Sequence, residues 1–233
     1  MTLLECRGLS KSYGQAGWQA LNSVNLHVAR GKIIGLLGPN GSGKTTLIKL
    51  INGLLVPTAG EVLINGKPPG PDSKMAISYL PDKTYLADWM RVDQILDFFV
   101  DFYTDFDKDR ALSMLRQLQV DPSLVFRTLS KGTKEKVQLV LVMSRRTQLY
   151  LLDEPIGGVD PAARDFILRT IISNYSSDAT ILIATHLIAD IESVLDEAIF
   201  INRGHIVVHD SVDNIRASRG QSVDEMFREV FAC

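Results

Sequence analysis

Two hydrophobic patterns divide this chain. Short apolar runs at Ile33-Ile34-Gly35-Leu36-Leu37, at Gln148 to Asp153 and at residues 180–185 are too short for helices. Such runs suit strands of a parallel sheet, buried on both faces. Alternating or weakly alternating runs predict further strands at residues 2–9, 21–30 (Val24, Leu26, Val28), 61–65 and 75–80, and a terminal hairpin at 198–202 and 205–210 over Arg203-Gly204. Turns are expected at 11–14, which carries Tyr13, at 29–31, at 57–60 and at Pro81-Asp82, with a hairpin signal at Asn65-Gly66. Helices are expected from about Gly43 to Ile51, stopped by Asn52-Gly53, and over 161–175, with Asp160 as N-cap and Pro161 in first position. Shorter ones are expected at 187–195, 211–218 and 222–231.

Between residues 83 and 146 the period changes to 3.6. Val92, Ile95, Leu96, Phe99, Phe102 and Tyr103 share one helical face, and Asp93, Asp97 and Asp101 the other. Further helices are expected at 109–118 and 131–146. The expectation is a single domain: an α/β core from residues 1–82 and 147–210, a helical insertion at 83–146 and closing helices at 211–233.

Composition changes this picture little. The 233 residues carry 45% hydrophobic and 22% charged side chains and a net charge of −2. Nothing in that balance draws the chain to nucleic acid, so no nucleic-acid partner is expected. No apolar run approaches the roughly 18 residues that span a bilayer, and Met1-Thr2-Leu3-Leu4-Glu5 does not read as a signal peptide. Cys6 and Cys233 form no disulfide framework, which fits a cytosolic location. The four histidines lack metal-site spacing; His205 and His209 are expected at the surface of a strand.

The candidate chemistry starts after the first apolar run. Gly38-Pro39-Asn40-Gly41-Ser42-Gly43-Lys44-Thr45-Thr46 has the phosphate-cradle spacing between a strand and a helix. Its glycines let backbone N–H groups close on a polyphosphate, and the helix dipole adds to the attraction. Lys44 is expected to reach the β- and γ-phosphates of ATP and the Thr45 hydroxyl to ligate Mg²⁺. The run at 149–152 ends in Asp153-Glu154, which a sheet delivers beside the phosphates. Asp153 can hold Mg²⁺ and Glu154 can act as general base toward water. His186, after another core strand, can donate to the γ-phosphate and the carboxylate. A plain turn at 153–155 and a structural histidine are the alternatives.

Taken in order, these segments, with Tyr79-Leu80-Pro81-Asp82, Leu129-Ser130-Lys131-Gly132-Thr133, Gly158-Val159-Asp160 and Thr185-His186, resemble the ATP-binding subunits of ABC (ATP-binding cassette) transporters over nearly the whole chain. The resemblance implies an α/β P-loop NTPase (RecA-like) core with an antiparallel β subdomain and an inserted α-helical subdomain. It implies ATP hydrolysis between two head-to-tail cassettes, each site joining one P-loop to the other subunit's Ser130 and Gly132. It further implies that Tyr13 stacks on adenine, that Asp160 makes a cross-interface contact, and that separate transmembrane permease subunits hold the chain at the cytoplasmic face of the membrane. The segments 97–106 and 187–192 look like those of antibiotic- and peptide-related exporter ATPases of Gram-positive bacteria.

Two departures stand out. Lys131 and Thr133 replace a glycine and a glutamine of the usual signature, and Asp82 stands where the family carries glutamine. Asp82 can still bind Mg²⁺ or water through oxygen, but its charge opposes a γ-phosphate. A soluble, non-transporting ABC ATPase and a weakly hydrolysing regulatory module stay open as alternatives. Phe98 and Phe106 are candidates for a groove accepting a helix of a membrane subunit.

Overall fold

The computed structural model describes residues 2–14, 17–157, 159 and 161–231, and only the backbone of 161–163 and 219. The chain runs β1 (Thr2–Tyr13), β2 (Trp18–Ala29), β3 (Ile33–Leu37), α1 (Lys44–Ile51), β4 (Ala59–Ile64), α2 (Pro71–Met75), β5 (Ile77–Leu80), α3 (Val92–Phe102), α4 (Lys108–Gln117), α5 (Lys131–Met143), β6 (Leu149–Asp153), α6 (Pro161–Ser173), β7 (Thr180–Thr185), α7 (Ile188–Ile191), β8 (Glu197–Asn202), β9 (His205–Ser211), α8 (Val212–Arg219) and α9 (Val223–Val230).

Among the described residues the strands form two sheets. One has the order β5-β6-β7-β3-β8-β9, parallel except for β9; the other is an antiparallel β2-β1-β4 sheet. The short apolar runs form the inner parallel strands, and their alternate residues feed two cores. Ile33, Leu37, Tyr150, Leu152, Ile181 and Ile183 face α3 to α7. Ile34, Leu36, Leu149, Leu151, Leu182 and Ala184 face α1 and the antiparallel sheet. A sheet with both faces covered is why these strands lack a polar side. The fold is that of a P-loop NTPase with an added antiparallel sheet and a helical insertion.

Several expected elements shift. Residues 11–13 continue β1 instead of turning, with Lys11 opposite Leu21 and Tyr13 opposite Trp18; register shifts along β1 break its period of two. Ala59 and Gly60 belong to β4 rather than to the expected turn at 57–60. The strand expected at 75–80 begins only at Ile77, because Pro71–Met75 is a short helix with proline in its first turn. Helix α5 ends at Met143 rather than at residue 146. The helix expected over 187–195 is α7 followed by a 3₁₀ turn at Glu192–Val194.

On α3, Val92, Ile95, Leu96 and Phe99 are buried, but Phe102 is 64% exposed and stacks with the exposed Phe98 at 4.4 Å between ring centroids. Phe106 packs on Phe99 instead of opening outward. His205 and His209 are exposed and meet Asn22 and Glu197 rather than each other.

Candidate functional site

Loops leaving the carboxyl ends of β3, β5, β6 and β7 meet at one edge of the parallel sheet, where α/β folds place ligands. The segment from Gly38 to Gly43 follows β3, Asp82 follows β5, Asp153 ends β6 with Glu154 next, and Thr185 ends β7 with His186 next.

The turn into α1 needs glycine at two points. A Cβ on Gly38 would lie 2.4 Å from the Ile201 carbonyl, and Gly43 has φ +115° with the Ala20 carbonyl 2.7 Å from any Cβ. Helix α1 has no side-chain cap, so its first-turn N–H groups are available to an anion. Lys44 is 6% exposed, and its Nζ donates to the carbonyls of Gly38 (2.7 Å) and Pro39 (3.2 Å). Glu154 Oε1 lies 3.9 Å from the same nitrogen. Burial holds the Lys44 ammonium below the usual lysine range, and the Glu154 and Asp153 carboxylates oppose that shift.

Thr45 Oγ1 donates to Asp153 Oδ1 at 3.1 Å. Asp153 Oδ2 is buried with no partner. Burial pushes the Asp153 carboxyl up to about 6; Asp82 and Glu154 add to the rise, while Thr45 and Lys44 oppose it. Among the described residues no three His, Cys, Asp or Glu side chains gather to hold a metal alone. A hydroxyl, one orphaned carboxylate oxygen and nearby phosphates are nevertheless what a magnesium ion takes, since it is usually held by one or two carboxylates plus substrate and water.

Glu154 sits at φ +53°, a left-handed conformation uncommon outside glycine. Its N–H donates to the Ala184 carbonyl at 2.8 Å, and its own carbonyl accepts from Gly157 N–H at 3.0 Å. The carboxylate turns toward β7: Thr185 Oγ1 donates to Oε2 at 3.0 Å, and His186 Nδ1 lies 3.0 and 3.1 Å from the two oxygens.

A depression of about 520 Å³ is lined by Asn40 to Thr46, Glu154, Gly157 and His186, and also by Trp18, Asp82 and Lys131. Tyr13 stands behind this lining. Its hydroxyl is 3.4 Å from Thr46 Oγ1 and its ring stacks on Trp18 at 5.8 Å, so the exposed aromatic face belongs to Trp18. Ser130 caps α5, accepting from Thr133 N–H at 3.2 Å, and Gly132 has open space around its α-carbon. Ser130 does not line the depression, although Lys131 does, pairing with Glu135 at 3.8 Å. Gly158 and Asp160 lie outside the described residues.

Sequence reasoning missed Trp18, Gly157 and the Thr185 hydroxyl. Trp18 is found only once β1 pairs with β2 and sets it opposite Tyr13, and the bond from Thr185 depends on how β6 and β7 align. A groove of about 660 Å³ adjoins the depression and shares Thr45 and Asp82 with it; Tyr79, Tyr85, Phe99, Tyr103, Arg145 and Asp153 also line it. Phe98 and Phe106 are not among its walls.

A phosphate loop on a parallel sheet, with acids at the end of the strand one removed from it, defines a P-loop nucleoside triphosphatase. Within that class, the chain matches the ABC transporter family over residues 21–157. It is 34% identical to the ABC transporter ATP-binding protein YtrB of Bacillus subtilis (strain 168), over 85% of this chain and 68% of YtrB. It is 28% identical to the SkfA peptide export ATP-binding protein SkfE of the same organism, over 89% of this chain and 88% of SkfE. A solved ATP-binding subunit of an ABC transporter is 32% identical with a TM-score of 0.87, over 98% of this chain and 99% of that one. The chain therefore belongs to the ABC transporter ATP-binding family and is an ATPase of that family. It spans only 64% and 38% of two other curated relatives.

Proposed function

We propose that this chain is the ATP-hydrolysing subunit of an ABC exporter. The observation that carries the reading is the meeting of Lys44, Thr45, Asp153, Glu154 and His186 around one depression at the sheet edge. In this reading the backbone of residues 38–46 wraps the phosphates of ATP, and Lys44 leaves its two loop carbonyls for the β- and γ-oxygens. Thr45 and Asp153 would hold Mg²⁺, with Asp82 contributing a further carboxylate at the edge of the depression. The ion supplies neutralisation of charge building between the β- and γ-phosphates. Glu154 takes a proton from the attacking water as its oxygen bonds the γ-phosphorus and the bond to ADP breaks, releasing phosphate. His186 steadies the carboxylate through Nδ1 and presents Nε2 to the terminal phosphate.

One subunit leaves the γ-phosphate side open. The exposed start of α5, with the Ser130 hydroxyl, Gly132 and the helix dipole, is a second anion-binding surface. Brought by a second cassette, it closes the depression. Among the described residues no helix is long and apolar enough to cross a membrane. In keeping with relatives named as ATP-binding proteins and subunits of ABC transporters, the reading includes separate permease subunits and a peripheral place on the cytoplasmic face. The groove lined by Tyr79, Tyr85 and Tyr103 is where a permease segment docks. Asp82 borders both groove and depression, so an occupant of one reaches the chemistry of the other. SkfE's peptide-export name supports the exporter direction.

The test is phosphate release from ATP by the purified chain. Release should saturate with ATP, require Mg²⁺ and stop with EDTA; a chain with no magnesium-dependent release overturns the reading. Trp18 adds a second expected outcome. Stacking on the base is worth about 1 kcal/mol, so Trp18→Ala should weaken ATP binding by about fivefold. It should leave inorganic triphosphate binding unchanged, which competition calorimetry reads directly.

A further inference from the structure

We infer that Thr185 is a positioning residue for hydrolysis, fixing the Glu154 carboxylate through its hydroxyl. The inference rests on the reading of Glu154 as general base. Thr185 ends β7, fully buried, opposite Leu37 in the register with β3. A hydroxyl has one proton and two lone pairs. The Leu187 N–H donates into one lone pair at 3.1 Å, and the proton goes to Glu154 Oε2 at 3.0 Å. The bond therefore has a set direction, from a β-branched side chain with little rotamer freedom.

The carboxylate's other holder differs in kind. His186 has a side chain 44% exposed and meets both carboxylate oxygens with one nitrogen. It can swing when a nucleotide or second subunit arrives; Thr185, buried at a strand end, cannot. Glu154 needs such an anchor because its backbone is left-handed and its neighbour Gly157 leaves no Cβ wall on that side. Without the hydroxyl, Oε2 keeps only the exposed His186 as a partner and can move with it away from the water's position. A general base displaced by a fraction of an ångström loses rate without losing substrate affinity.

The experiment compares Thr185→Val, Thr185→Ala and Thr185→Ser with the wild-type chain and Glu154→Gln. Each is measured for kcat, KM for ATP and binding of a fluorescent ATP analogue. Thr185→Val should lower kcat by about tenfold with KM and analogue binding within about twofold of wild type. Thr185→Ser should restore kcat to within about twofold. If valine unfolds the strand end, as melting would show, alanine against serine carries the same comparison. Valine or alanine variants at wild-type rate, a serine variant as slow as they are, or analogue binding lost in step with kcat would each overturn the inference. A Glu154→Gln enzyme at wild-type rate overturns instead the base assignment beneath it, so the two failures are distinguishable.

Discussion

Replacing Glu154 by glutamine should lower ATP hydrolysis by about 10²–10⁴-fold, the usual worth of a positioned general base, while leaving ATP bound. Glutamine is nearly isosteric. Its amide oxygen can still accept from Thr185 and its NH₂ can face His186 Nδ1 in the other tautomer, so the local fold survives. What disappears is the ability to take a proton from water. A negative charge close to the γ-phosphate disappears too, along with the 3.9 Å pairing to Lys44, which frees that ammonium for the nucleotide. ATP should therefore persist in the site and hold two subunits together. Single-turnover phosphate release and sedimentation with Mg²⁺ and ATP read the two halves separately. Release within threefold of wild type removes Glu154 from the base role. A variant that binds ATP yet sediments at monomer mass removes the shared site.

The sheet was legible because parallel strands buried on both faces favour apolar residues at most positions, in runs too short for a helix. That is why Ile33–Leu37 and Thr180–Thr185 have the expected bounds and Leu149–Asp153 differs by a single residue. The phosphate loop was legible because its residues are contiguous. Short elements were less so: Pro71–Met75 is a single turn and carries no period. The end of β1 escaped because register shifts break the alternation through Ser12 and Tyr13. Phe102 was assigned to the core by spacing alone, yet α3 leaves it outside with Phe98. Helical period finds an apolar stripe, but not how much of the stripe a neighbour covers. In the candidate site, Glu154 and His186 could be named from strand ends. The Thr185 bond needed the alignment of β6 with β7, and Trp18 needed the pairing of β1 with β2.

A buried arginine helps join the helical insertion to the sheet, and removing it is the other change with a large expected effect. Arg145 follows α5 with a side chain 4% exposed. Nε and Nη2 bind the two Asp105 oxygens, each at 3.1 Å, across the α3–α4 connection. Nη1 donates to the Ile77 carbonyl and Nη2 to that of Met75, at the start of β5. The guanidinium lies 3.9 Å from the centre of the Tyr103 ring. Arg145→Ala strands a mostly buried carboxylate and two carbonyls at once, a loss of about 3–5 kcal/mol. In a domain of this size that is a fall of roughly 10 °C in Tm. Arg145→Lys keeps the charge but not the planar fork, so it should recover only part of the loss. Asp105→Asn with the arginine intact should cost less than Arg145→Ala, because the backbone carbonyls keep their donors. Calorimetric melting orders the three. Equal Tm for Arg145→Ala and wild type would mean that apolar contacts and the Ser78 and Tyr150 hydroxyl bonds hold the insertion without the guanidinium. Because Arg145 and Tyr103 also wall the groove beside Asp82, the same variant should loosen the surface on which a permease segment is proposed to press.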